Sequence, residues 1–272
     1  MAEASDLQSG GRPLRPILER ALRFKEKLRR GETVHGAWLS IPDPAVAEIM
    51  AGIGFDYVII ETEHSPWDLQ SLQTAVIAFN GSETVPIARV PWNDQVTIKR
   101  YLDLGIEGIL APMVRTTAEV RALVDAVRYP PVGKRGFGPR RASNYYRDID
   151  TYMARANDAL FVMPQIEHIE TMDDLDAFAD VPGIDALCIG PNDFSGTIGK
   201  LRQIKDPLVD GSIEKIFAAG KKRNLPVCLG INTPVERQAE LVAKGCRMLL
   251  VAADTDAIVK GCLKALDEAR SA

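Results

Sequence analysis

The chain has 272 residues, 46% hydrophobic and 26% charged, ordinary proportions for a globular protein able to bury one sizeable core. Its 33 Lys and Arg against 37 Asp and Glu leave a net charge of −4, which argues against nucleic acid or an anionic membrane as the main partner. No apolar run reaches the roughly 20 residues that cross a bilayer, and residues 1–13 lack a signal-peptide centre, so a loose tail on a cytoplasmic protein is expected.

In chain order, the first periodic segment spans 14–30, where Leu14, Leu18, Ala21, Leu22 and Leu28 share a helix face and Gly31 stops it. Strands are predicted at 34–40, 56–61, 84–90, 107–112, 160–166, 185–190, 225–230 and 247–252. Helices are predicted near 43–53, 67–80, 94–104, 116–128, 170–179, 207–223, 234–244 and 254–270. Asp43, Asp94, Thr116, Thr233 and Asp254 are placed to cap five of them, and Gly105 and Gly245 to end two.

Alternating strands and helices in a chain of this size predict a (β/α)8 TIM barrel, one catalytic domain over 14–272. An open doubly wound sheet usually carries a Gly-rich turn after its first strand, and Trp38-Leu39-Ser40-Ile41-Pro42 has none. Residues 129–158 break the rhythm with Pro130, Pro131, Arg140, Arg141, Tyr145 and Tyr146. A loop of that length reads as a lid over the barrel mouth or as a subunit contact. Cys188, Cys228, Cys246 and Cys262 match no zinc spacing and read as buried, reduced thiols.

In a parallel barrel the strand C-termini share one rim. Glu61, Glu63 and His64, Arg89, Glu167 and Asp193 all fall at such ends. Glu167 and Asp193 are hard oxygen ligands suited to Mg²⁺ or Mn²⁺ with open positions for water and substrate. His64, flanked by Glu61 and Glu63, has the makings of a general acid/base. Arg89 closes an otherwise apolar strand, so it needs a carboxylate or an anionic ligand. His35 and His168 read as structural. No lysine ends a predicted strand, which disfavours Schiff-base chemistry.

Six segments in order carry a resemblance: Phe55-Asp56-Tyr57-Val58-Ile59-Ile60-Glu61-Thr62-Glu63-His64, Arg89-Val90-Pro91-Trp92-Asn93-Asp94, Leu102-Asp103-Leu104-Gly105, Ala111-Pro112-Met113-Val114, Gln165-Ile166-Glu167 and Ile189-Gly190-Pro191-Asn192-Asp193-Phe194-Ser195. Over about 33–265 the chain resembles the metal-dependent pyruvate aldolases of the HpcH/HpaI type. They act on 4-hydroxy-2-oxo-heptanedioate or 2-keto-3-deoxy sugar acids in aromatic or sugar-acid catabolism.

The resemblance implies a class II lyase that splits a 4-hydroxy-2-oxo acid into pyruvate and an aldehyde. It implies Glu167 and Asp193 on a divalent metal (Mg²⁺ or Mn²⁺, with Co²⁺ or Zn²⁺ as further options) and Gln165 beside it. His64 with Glu61 would move protons, and Arg89 would contact the keto oxygen. Trp38, Gly190, Pro191 and Asn192 would line the pyruvate pocket, and Asp103 would lie near a neighbouring subunit's site. A homo-hexamer, a trimer of dimers with the last helix exchanged, is also implied.

The chain departs from the family in Glu61, often Asp, in Asn192, often Ala, and in the Gly136–Arg141 loop. Residues near Leu229, Ile231 and 136–146 are expected to choose the aldehyde. The alternative enzyme would be a citryl- or malyl-CoA lyase, with Arg140 and Arg141 for the nucleotide, or a decarboxylating enzyme like macrophomate synthase. A non-catalytic metal-binding or assembly protein that kept the barrel is the third reading.

Overall fold

Runs buried on both faces form strands only inside a jacket of helices. In the computed structural model, which describes residues 16–271, these runs are β1 (Val34–Leu39), β2 (Tyr57–Glu61), β3 (Val85–Arg89), β4 (Gly108–Ala111), β5 (Phe161–Ile166), β6 (Leu187–Ile189), β7 (Val227–Leu229) and β8 (Cys246–Ala253). Each pairs in parallel with the next and β8 pairs with β1, closing the predicted eight-stranded barrel. The tail expected over 1–13, and Leu14, lie outside the described residues.

The helices are α1 (Glu19–Arg29), α2 (Pro44–Gly52), α3 (Leu69–Ala78), α4 (Gln95–Asp103), α5 (Thr117–Val127), α6 (Ile149–Ala159), α7 (Leu175–Ala179), α8 (Pro191–Thr197), α9 (Pro207–Lys222), α10 (Val235–Lys244) and α11 (Asp254–Ser271). A 3₁₀ turn, Ile169–Asp174, precedes α7, and His168 caps it by accepting the Glu170 N–H through Nδ1 at 3.2 Å. Asp43, Asp94 and Thr116 cap α2, α4 and α5 as expected. Gly105 and Gly245 adopt left-handed φ where the chain leaves α4 and α10.

Several expectations need correction. Helix α1 starts at Glu19, because Leu18 turns left-handed two residues after Pro16. Thr233 caps nothing, since Pro234 takes the cap position of α10 and the buried Thr233 hydroxyl has no partner. Cys188, Cys228 and Cys246 are buried, whereas Cys262 is exposed on α11.

The stretch 129–158 is no continuous loop either. Its last third belongs to α6, which buries Ile149, Tyr152, Ala156 and Ala159 at helical spacing. The residues before α6 do not line the cavity at the mouth. Two of their basic groups are tied down within the fold. Arg135 is fully buried against the Tyr129 ring (4.4 Å to the centroid) and bonds Asp103 at 2.7 Å. The buried Arg141 donates to the Leu104 carbonyl.

Inside the barrel, side chains alternate with period two, and Tyr57 and Ile59, Val85 and Ile87, Phe161 and Met163, and Met248 and Leu250 fill the axis. Gly36 is needed in β1, because a Cβ there would lie 2.3 Å from the Tyr57 ring. Helix α1 plugs the lower end, with Phe24 packed edge-on to Phe161 at 5.3 Å. Among the described residues no helix is long and apolar enough to cross a membrane.

Candidate active site

The same alternation builds the site. Two residues beyond the inward Ile59, Ile87, Met163 and Cys188 come Glu61, Arg89, Gln165 and Gly190, so the next inward layer at the strand C-termini is polar. These four help line a cavity of about 380 Å³, together with Trp38, Ser40, His64, Ser65, Pro191, Asn192, Asp193, Gly230, Ile231 and Ala253. Residues far apart in the chain thus meet at one mouth.

Glu61 and Arg89 stand in register across β2 and β3. Glu61 Oε2 accepts from Arg89 Nε and is ion-paired with its terminal nitrogen. Glu61 Oε1 accepts the backbone N–H groups of Glu63 and His64 at 2.8 and 3.0 Å. The Arg89 guanidinium also lies 4.8 Å from the Trp38 ring centroid, a cation–π contact that fixes its plane. The sequence reading paired His64 with Glu61. The structure instead places Glu63 Oε2 3.6 Å from His64 Nε2 and 3.3 Å from Arg89 Nη1. The extra methylene of Glu61 reaches Arg89 and the turn, not the imidazole.

Glu167 is buried just past β5. Its Oε1 accepts the Met113 N–H at 2.7 Å, and its Oε2 accepts from Gln165 Nε2. Met113 holds a left-handed φ of 52° there, which a non-glycine residue adopts only when its surroundings enforce it. Burial, with Glu63 and Asp193 as like charges nearby, pushes the Glu167 carboxyl up to about 7 against the pull of the Met113 N–H and Arg89. Gly190 leaves room for this carboxylate, as a Cβ would sit 2.4 Å from Glu167 Oε2. Asp193 is exposed in the first turn of α8.

Two hard carboxylates, one with a cradle kept open by a glycine, fit a divalent cation that retains several waters. Gln165 Oε1 is buried with no donor, an acceptor waiting at the same place. Among the described residues no cluster of three or more His, Cys, Asp or Glu could hold a metal by itself.

Other residues are not brought here. Asp103 ends α4 on Arg135, away from its own barrel's mouth. His35 is exposed at the start of β1. Of the residues expected to choose the aldehyde, Ile231 lines the mouth, whereas none of 136–146 does. Sequence reasoning missed Ser40, Ser65, Gly230 and Ala253. It also missed Asp254, whose buried carboxylate accepts the Ser40 and Ile41 N–H groups at 2.8 and 2.7 Å and ties the end of β8 to that of β1. Extending the inward alternation by one step would have found Ser40 and Gly230.

A sequence model of the HpcH/HpaI aldolase/citrate lyase family matches residues 35–260, all eight strands but for one residue of β1. The chain belongs to this family. A 4-hydroxy-2-oxo-heptane-1,7-dioate aldolase of Salmonella paratyphi C (strain RKS4594) is 40% identical over 245 residues, 88% of this chain and 90% of that one. The crystal structure of a family member from Burkholderia cenocepacia J2315 superimposes with a TM-score of 0.84 at 30% identity, covering 91% of this chain and 99% of that one. That of an HpcH/HpaI aldolase from Desulfitobacterium hafniense DCB-2 also gives 0.84, at 28% identity, covering 91% and 96%. The protein is a carbon–carbon lyase of the class II aldolase type, and membership supports a divalent metal.

Proposed function

We propose that the protein reversibly cleaves a 4-hydroxy-2-oxo acid into pyruvate and an aldehyde. The observation that carries this reading is the single mouth that joins Arg89, His64 and Gln165 with Asp193, beside the buried Glu167. Glu167 and Asp193 would hold the cation, Mg²⁺ or Mn²⁺ by donor type. When bound, the cation would supply Lewis acidity toward the oxo and carboxylate oxygens of the substrate. Arg89, held in plane by Glu61 and Trp38, aims fixed N–H groups at the oxo oxygen, where negative charge grows as the C3–C4 bond breaks. His64 takes the 4-hydroxyl proton as the aldehyde leaves, and returns one in the aldol direction. Trp38, Pro191 and Asn192 line one side of the mouth.

The oligomer belongs to the same proposal. Helix α11 buries only Asp254 against its own chain and exposes Ile258, Val259, Leu263 and Leu266. Such a stripe supports a last helix exchanged between subunits. The three buried free thiols suit a reducing cytoplasm. A CoA thioester substrate is less supported, because the buried Arg141 faces Leu104 and Asn80 at a distance from the mouth. The test is turnover of pyruvate with a panel of aldehydes, with and without EDTA. Turnover that survives the chelator ends the metal reading, and no turnover with any aldehyde ends the aldolase reading.

A further inference from the structure

Glu61 cannot serve the imidazole of His64. Its Oε1 already accepts two backbone N–H groups and its Oε2 accepts the Arg89 guanidinium, so both oxygens are committed. They hold the turn and Arg89, not the His64 ring.

Glu63 is placed otherwise. Its Oε2 is shut off from solvent and completes no hydrogen bond. It lies between the Arg89 guanidinium, Nη1 at 3.3 Å, and the His64 imidazole, Nε2 at 3.6 Å. A buried carboxylate oxygen without a donor is costly and calls for an explanation. An imidazolium N–H supplies one, after a ring movement of about half an ångström to hydrogen-bonding distance.

We infer that Glu63, rather than Glu61, is the positioning residue for His64: it accepts the Nε2–H, fixes the ring's tautomer and favours its protonated form. This rests on the aldolase reading for its purpose but not for its test. With Nε2–H turned to Glu63, Nδ1 is the nitrogen left to take the 4-hydroxyl proton, and the Glu63 carboxylate stabilises the resulting imidazolium. The charged groups that face Glu63 are Arg89 from β3, Glu61 from β2, Glu167 from just past β5, Asp193 from α8 and His64 itself. Arg89 is largely committed to Glu61. Burial raises the Glu63 carboxyl, while Arg89 and His64 hold it back.

The test reads His64 directly. Diethyl pyrocarbonate acylates only neutral imidazole, so the rate of His64 modification against pH, followed by peptide mass spectrometry, gives its proton affinity. His35 and His168 in the same digest are the internal references. Glu63→Gln is expected to weaken proton binding at His64 by about three- to tenfold, the range for removing one partly screened carboxylate. Glu63→Asp, one methylene shorter, is expected to fall between and serves where the amide variant does not fold. In active enzyme the acid limb of kcat/KM moves by the same factor. Identical His64 curves in the wild type and in whichever variant folds overturn the inference, as does a shift confined to Glu61→Gln. A wild type without pyruvate-dependent turnover sinks the aldolase reading alone, because the modification curve is measured without substrate.

Discussion

Glu61 and Arg89 face each other in register across β2 and β3, and their ion pair closes the top of the barrel interior. Both side chains are nearly buried, at 6% and 13% exposure, so removing one strands the other. Glu61→Ala is expected to destabilise by about 3–5 kcal/mol, the cost of an uncompensated buried charge, read as a fall in melting temperature. Arg89→Lys keeps the charge but loses the fork and the flat contact with Trp38. Its kcat should fall by about 10²–10³ with the fold intact, measured by steady-state kinetics beside thermal melting.

The Glu167 carboxyl gives a pH signature. Its folded value, about 7, lies above that of an ordinary glutamate. The sign follows: the protonated form favours the folded state, so this contribution is complete below the ordinary value and is lost as pH rises through 7. In metal-free protein the loss is on the order of 3 kcal/mol. Glu167→Gln should flatten that slope in urea melts between pH 4.5 and 7.5. Divalent-metal affinity should run the opposite way, strengthening as pH rises toward 7 because the ligand must be ionised.

Gly190→Ala separates the site from the fold. The added methyl would meet Glu167 Oε2 at 2.4 Å and Gln165 Nε2 at 2.7 Å, so the carboxylate must swing. Manganese affinity, followed by electron paramagnetic resonance, is expected to drop by about tenfold or more. A variant with wild-type affinity would remove Glu167 from the set of ligands.

The exposed stripe of α11 predicts association. Leu263→Asp should disrupt self-assembly in sedimentation velocity while leaving the barrel folded, since Leu263 is 54% exposed within its own chain. An unchanged sedimentation coefficient would place the subunit contact elsewhere.

The barrel was legible because each strand is a short run of β-branched and apolar residues, and the caps Asp43, Asp94 and Thr116 do locally what their side chains favour. Helix α6 was not, because the prolines and glycines just before it drew attention from the spacing of Ile149, Tyr152 and Ala156. At the mouth, the inward layer follows from alternation alone, so Glu61, Arg89 and Gln165 could be read from position. The choice between Glu61 and Glu63 could not. It depends on how far a side chain reaches across a turn, and the one-methylene difference from aspartate is settled by what Arg89 and two backbone N–H groups already occupy.

The packing of Phe24 beneath Tyr57 and Phe161 seals the axis from below, so the chamber has a single doorway. Whatever lodges deepest, against Arg89, has to arrive before its co-substrate and depart after it. Compulsory order of addition is the expected consequence: pyruvate should act as a competitive product inhibitor toward the hydroxy-oxo acid while the aldehyde does not.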